Sequence, residues 1–232
     1  MTHRVHPYIF RLGELTTWKS RWLHRKKFRE YLREDTLLRA WLDKRLREAH
    51  IASIDFERST DTLQVILKTA RPGILIGRGG EGAERLKKEI QRQISKIYKH
   101  FREHPERREV KLTIEEVRKP ELYAAIVARM IADDIEKRVS FRRAMRQSLA
   151  KLSQLSEVQG AKIALKGRLD GSEMARYEWV KHKRIPLQTI RADIDYAQQT
   201  AYTTYGTVGI KVWIYKGDVF DSSAKFKAEN SK

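Results

Sequence analysis

Three groups of residues have types and spacings that could do chemistry. The first is a glycine cluster, Gly77-Arg78-Gly79-Gly80-Glu81-Gly82. Its backbone can come close to a phosphate, because glycine adopts turns that other residues resist. The second is a basic stretch, Lys137 to Lys151, holding Lys137, Arg138, Arg142, Arg143, Arg146 and Lys151 and no acid. On a helix, Arg138, Arg142 and Arg146 recur at i+4 and share one face. A solvated charged face usually mixes signs; this one does not, and it suits a phosphate backbone. The third group contains the residues from which catalysis is usually built. Asp133 and Asp134 form a carboxylate pair, but Arg129, Lys137 and Arg138 lie close enough in sequence to neutralise them. Asp193 and Asp195 alternate with Ile194 on a strand whose same face carries Arg191, the pattern of ordinary cross-sheet pairing. The seven histidines form no metal-ligand or nucleophile pattern, and His100 and His104 sit in a basic connector that disfavours a cation.

The glycine cluster has three readings. It satisfies GxGxxG after a strand-like apolar run, Gly73 to Ile76, and before a helical stretch, so a dinucleotide site must be weighed. It also satisfies GxxG from Gly77 to Gly80, the loop with which KH modules clamp a nucleotide backbone, with Arg78 as a phosphate-reaching charge. The third reading is a plain turn. The helix expected over 81–98 puts Arg85, Lys87, Lys88, Arg92 and Lys96 on its outer face, which suits a polyanion better than one dinucleotide. A dinucleotide fold also needs an acid at the end of the next strand, about 20 residues on. Helix and basic connector occupy that place here, and Glu115 and Glu116 come much later. The KH reading is preferred.

Charge points the same way. Lys and Arg number 49 against 30 Asp and Glu, a net +19. That excess repels itself unless a polyanion neutralises it, and nucleic acid is the usual one. The basic residues are spread over the chain rather than gathered in one amphipathic helix or tail, which argues against a membrane surface. There is no cysteine, so disulfides, thiol catalysis and Cys-ligated zinc are excluded. No cofactor or metal is expected. No apolar run of about 18 residues is present, so no membrane span is expected, and a cytoplasmic location is.

The elements that must position these residues follow from periodicity. An amphipathic helix is expected at 35–49, within helix-spaced apolar positions running from 17 to 50. Strands are expected at 51–58 and 63–69, joined at Ser59-Thr60-Asp61, and at 110–114. Pro120 opens a helical region to about Leu155, interrupted near Ser140. A strand follows at 160–167, then a loop-rich segment from Gly167 to Pro186, then strands around Ile190–Ile194 and Ile210–Ile214. The expected class is α+β with two small domains. Their boundaries are an extension at 1–16, a first domain at 17–119, a second at 120–216 and a flexible tail at 217–232. Arg168, Arg176, Arg184 and Arg191 punctuate the second domain and are candidates for phosphate contact. Tyr177, Trp179, Tyr202 and Tyr205 could stack bases, but core packing is expected for at least half of them.

Taken together the residues are familiar. Val5-His6-Pro7 and Arg11-Leu12-Gly13 open the chain, and Arg71-Pro72-Gly73-Ile74 leads into the Gly77–Gly80 loop. Glu116 to Glu121, Phe141-Arg142-Arg143-Ala144-Met145, Gly167-Arg168-Leu169, Pro186-Leu187, Arg191 to Tyr196, Thr203 to Gly206 and Val212-Trp213-Ile214 follow. In this order, over roughly residues 4 to 217, the chain resembles the universal family of the third protein of the small ribosomal subunit. The resemblance implies a type II KH domain, with helices on one face of a three-stranded sheet. It also implies a C-terminal α/β domain whose helices pack on a mostly antiparallel sheet. It implies a place in the head of the 30S subunit, bound to small-subunit rRNA beside the tenth and fourteenth proteins. Arg138, Arg142, Arg143 and Arg146 would then line the tunnel through which mRNA enters, and help to unwind it. Gly77, Arg78, Gly79 and Gly80 would bind RNA as the KH loop. Arg4, His6, Arg11, Arg168, Arg176, Arg184 and Arg191 would be rRNA contacts. Two positions depart from the family pattern: Gly79 stands inside a loop usually richer in Lys, and Asp170 stands where Gly is common.

Overall fold

Residues 5–59, 61–101 and 109–220 are described by a computed structural model. The expected contact Arg4, residues 102–108 of the connector and residues 221–232 of the tail lie outside the described residues. In chain order the elements are α1 (Pro7–Phe10), β1 (Ser20–Arg21), α2 (Phe28–Arg45), β2 (Ile51–Arg58), β3 (Thr62–Thr69), α3 (Pro72–Ile76), α4 (Glu81–His100), β4 (Glu109–Glu116), α5 (Ala124–Glu136), α6 (Phe141–Gln154), β5 (Gly160–Gly167), β6 (Arg176–Lys183), β7 (Ala192–Thr203) and β8 (Gly206–Asp218). They divide into two units, Trp18–Arg118 and a second formed by residues 119–220 together with residues 5–17. The class is α+β, as expected.

In the first unit the strand order is β1-β2-β3-β4; β2 and β3 are antiparallel, and the other pairs are parallel. Alternation decides which face is buried. Register aligns Ile54, Leu67 and Ile114 in one row and Phe56, Val65 and Leu112 in the next. These side chains meet Leu38 and Leu42 of α2, Leu75 of α3 and Leu86 and Ile90 of α4 in one core. The helices therefore cover one face of the three long strands, and β1 adds only a two-residue edge. Residues 17–27 do not continue the helix. Leu23 is 93% exposed, and the helix begins at Phe28 and ends at Arg45.

A charged network closes this core at one end. The Arg58 guanidinium bonds Glu34 at 2.9 Å and also bonds Asp35. Tyr98 donates its hydroxyl proton to Glu34 at 2.8 Å, and the Trp22 indole donates to Asp35 at 2.8 Å. All three charged side chains are almost fully buried. Burial alone would lower the Arg58 pKa, but Glu34 and Asp35 outweigh it and the net shift is upward.

In the second unit the strands run β6-β5-β8-β7, all antiparallel, with α5 and α6 on one face. Ala161, Ile163, Leu165, Val208, Ile210, Val212 and Ile214 pack there against Val127, Ile131, Phe141, Met145 and Leu152. The segment read as loop from Gly167 to Pro186 contains a whole strand, β6. Of its side chains Val180 alone packs against the helix-covered core, so its core face carries no row of apolar residues. β7 and β8 are longer than expected, and β8 runs to Asp218, paired with Ala192, beyond the expected start of the tail.

The N-terminal extension belongs to this unit because of Arg11. That side chain was expected to touch rRNA; instead it is 1% exposed. Its guanidinium donates to the carbonyls of Ala192 at 2.6 Å, Thr189 at 2.8 Å, Pro7 at 2.9 Å and Leu187 at 3.0 Å. One charged fork thus satisfies carbonyls from two distant segments, and no face is left for RNA. Arg11→Met removes these bonds and strands the carbonyls. We expect a loss of about 2–4 kcal/mol in chemical denaturation, with faster proteolysis near residue 16. An unchanged cleavage rate would refute the anchoring role.

Candidate nucleic-acid interface

The glycine loop joins two helices. The apolar run before it, read as strand-like, is the five-residue helix α3, started by Pro72 at its first turn. Gly77 ends it at φ 68°, and Gly79 and Gly80 follow at φ 62° and 85°. Three positive-φ positions in four explain the glycines without any ligand. Gly77, Arg78 and Gly79 are exposed. Gly82 has a different duty: a Cβ there would lie 2.6 Å from the Leu75 carbonyl oxygen and 2.8 Å from that of Ile76. The last glycine of the apparent GxGxxG thus lets α4 pack against α3. Without a strand before the loop, the strand–turn–helix geometry of a dinucleotide site is missing. We expect Gly82→Ala to cost about 1–3 kcal/mol, read as a drop in melting temperature; an unchanged melting temperature would show that the two helices can separate freely.

α4 presents Arg85, Lys88, Arg92 and Lys96 to solvent and buries Leu86, Ile90 and Tyr98. The loop and this helix face make a surface of net positive charge on the first unit, with Glu81 exposed at the helix start.

The second surface is α6. Phe141, Met145 and Leu152 anchor it in the core, as the sequence period requires. Arg142, Arg143 and Arg146 are thereby turned outward and are exposed. With Ser140 and Gln147 they line an open depression of about 530 Å³. Arg142 lies 3.8 Å from Glu178, with its side chain 63% exposed, which is a weak surface pair. Arg138 departs from expectation. The helix breaks between Glu136 and Phe141, and Arg138 sits in that turn at φ 63°, exposed but off the helix. The i+4 row therefore holds Arg142 and Arg146, with Arg143 beside them.

The turn is fixed from a distant loop. The Asp170 carboxylate accepts from the Phe141 backbone N–H at 3.3 Å and from the Ser140 hydroxyl at 3.4 Å. An acid at a helix N-terminus satisfies free N–H groups and complements the dipole. This role was not read from the sequence, where Asp170 stood out only as a departure from a family glycine.

The chain matches two family models, the KH domain over residues 37–122 and "Ribosomal protein S3, C-terminal domain" over residues 131–214. A protein of Koribacter versatilis named small ribosomal subunit protein uS3 is 45% identical over 225 residues, 97% of this chain and 95% of its own. Proteins of the same name from Caldicellulosiruptor saccharolyticus and Xanthomonas euvesicatoria are 46% identical over 94% of each chain, and 45% identical over 96% of this chain and 86% of theirs. The chain belongs to the ribosomal protein S3 family.

The remaining residues expected as S3-type RNA contacts behave unequally. Arg176 and Arg184 are exposed near the two ends of β6 and its outgoing loop. Arg168 is exposed but donates to the Ser172 carbonyl at 2.8 Å and the Tyr205 carbonyl at 3.3 Å, tying a loop to the β7–β8 hairpin tip. Arg191 lies over the Phe220 ring at 5.1 Å and 4.0 Å from Asp218. His6 stacks edge-on against Tyr196 at 4.7 Å. Two of the carboxylates are structural: Asp133 pairs with Arg129 at 2.9 Å, and Asp195 accepts from the Ala124 N–H at 2.8 Å at the start of α5. The four aromatic residues reverse the expectation. Tyr177, Trp179, Tyr202 and Tyr205 are 47%, 48%, 63% and 58% exposed, and none is core. Among the described residues no cluster of acids and histidines could hold a metal, and no helix is long and apolar enough to cross a membrane.

Proposed function

We propose that this protein is a structural, non-catalytic component of the small ribosomal subunit. In this reading it binds small-subunit rRNA and lines the tunnel through which mRNA enters. The observation that carries it is α6: three exposed arginines, no acid on the same helix, and a helix start locked by Asp170. Such a strip can follow a moving phosphate backbone electrostatically while holding no nucleotide of its own. Separation of base pairs in incoming mRNA would draw on the motion of translation. The KH loop and the basic face of α4 serve rRNA, held by counterion release and backbone contact. The tenth and fourteenth small-subunit proteins are the proposed protein neighbours, and the ribosome in the cytoplasm the proposed location.

Co-sedimentation tests this. A built-in component stays with small subunits above about 0.2 M salt, whereas a protein held only by loose phosphate contacts washes off. Release below that concentration would favour a free KH regulator of mRNA. The loop has its own test. Gly79→Asp adds a side chain at φ 62° and a negative charge toward phosphate. We expect crosslinking of RNA to residues 77–80 to fall about tenfold, a loss of 1.4 kcal/mol. Unchanged crosslinking would make the loop a turn and nothing more.

A further inference from the structure

The sheet of the second unit has a face that neither proposed RNA surface uses. α5 and α6 pack on one side of it; α1 packs at β7. Strand parity sends a different set of residues to the other side of β6, β5 and β8. Register lines them up in rows: Tyr177 beside Lys166, Trp179 beside Ala164 and Lys211, and Lys181 beside Lys162 and Trp213. Each row holds one ring and at least one cation. Lys162 sits 5.0 Å from the Trp179 ring and 5.3 Å from the Trp213 ring. Trp179 and Tyr177 are about half exposed, and Lys166, Lys181 and Lys211 are exposed.

The charge of this face has one sign. β5 contains no acid. The single acid of β6, Glu178, points to the helix side, beside Arg142. In β8 the single acid is Asp218, at the far end, bonded to the Tyr215 hydroxyl at 2.8 Å. A protein partner matched to this face would bury several lysines against acids of its own. A single-stranded nucleic acid offers what each row presents: a phosphate for the lysine and a base face for the ring. Tyr177 and Trp179, two residues apart on one strand, stand about 6.8 Å from each other, room for two splayed bases. The small Ala164 between Trp179 and Lys211 leaves the floor flat.

We propose that the β6-β5-β8 face is a stacking platform for single-stranded RNA, with Trp179 and Tyr177 holding bases and Lys162, Lys166 and Lys211 holding phosphates. It deepens the RNA-binding reading and rests on it, but uses neither the KH loop nor α6. Both rings stand at the surface, so substituting them leaves the core untouched.

The test uses the full chain, a labelled twelve-nucleotide oligouridylate and an RNA duplex of equal length, with affinity read by anisotropy. Trp179→Ala with Tyr177→Ala should weaken the single strand about tenfold or more and leave duplex affinity within twofold. Trp179→Phe with Tyr177→Phe should keep it. Photocrosslinks of the oligouridylate should fall on peptides of 176–183. Equal weakening of single strand and duplex would overturn stacking. Unchanged affinity would overturn the platform, and the RNA-binding reading would still stand if Arg142→Ala with Arg143→Ala lowered duplex affinity. Loss in neither set would sink that reading as well. Protection of these lysines and rings by RNA-free small-subunit proteins, with none from the oligonucleotide, would make the face a protein interface and refute the proposal.

Discussion

Arg142→Ala combined with Arg143→Ala should slow translation through messages that carry a stable hairpin, while unstructured messages proceed at nearly the normal rate. Both side chains are exposed on α6, and the carboxylate beside Arg142, Glu178 at 3.8 Å, is only a loose partner. Their loss therefore leaves no buried charge behind, and the helix stays anchored by Phe141, Met145 and Leu152. What is lost is outward attraction. A net hydrogen bond is worth about 0.5–1.5 kcal/mol, so two solvent-exposed contacts to phosphate together supply about 1–3 kcal/mol, and each 1.4 kcal/mol is about tenfold in rate. A slowing on the order of tenfold is expected on structured messages and less than about twofold on unstructured ones. Chain-to-subunit stoichiometry should be unchanged. Equal slowing on both messages would refute a role at the mRNA path, and poor incorporation would assign these arginines to rRNA instead. Arg138→Ala should have the smaller effect, because Arg138 stands in the turn outside the helical row.

The second large effect is on stability. Arg58→Met leaves Glu34 and Asp35 buried without their cation. Breaking a buried ion pair from one side costs about 3–5 kcal/mol. That is a large part of what a unit of this size has to lose. Chemical denaturation of the variant should show the loss, and the remaining bonds from Tyr98 and Trp22 should not compensate, since they serve one carboxylate oxygen each. Converting all three residues together, Arg58→Met with Glu34→Gln and Asp35→Asn, should recover a good part of the stability, because no buried charge then lacks a partner. A single variant as stable as the parent would mean that water reaches this end of the core.

How much of this was legible beforehand depended on whether one side of an element carried a signal of its own. β2, β3 and β4 bury alternate side chains against three helices, so their period of two was plain. α4 and α6 separate apolar from basic residues, so the exposed Arg85, Lys88, Arg92, Lys96, Arg142, Arg143 and Arg146 follow from the period, whereas Lys87, expected beside them, is half-buried. β6 carries no such signal, because its helix-side positions are Glu178, Val180 and His182, only one of them apolar. The same blindness hid Tyr177 and Trp179: an aromatic pair at i and i+2 looks like core until the sheet shows that the helices lie on the other side. α3 looks strand-like in sequence because five apolar-rich residues fit either period; the proline at its start and the glycine at its end are the clues to a helix. Arg11 could not be assigned from spacing, since the carbonyls of Leu187, Thr189 and Ala192 that it bonds lie about 180 residues away. Arg138 fell out of its row because the break that permits α6 to turn consumes the residues before Ser140.

Crosslinking within assembled small subunits, followed by peptide mapping, tests the account where it is most exposed. RNA adducts should concentrate on the peptides holding residues 77–80 and 142–146, with none on Arg11 or Arg58. Subunits that carry the chain but give no adduct at either stretch, while protein–protein crosslinks cover both, would contradict it.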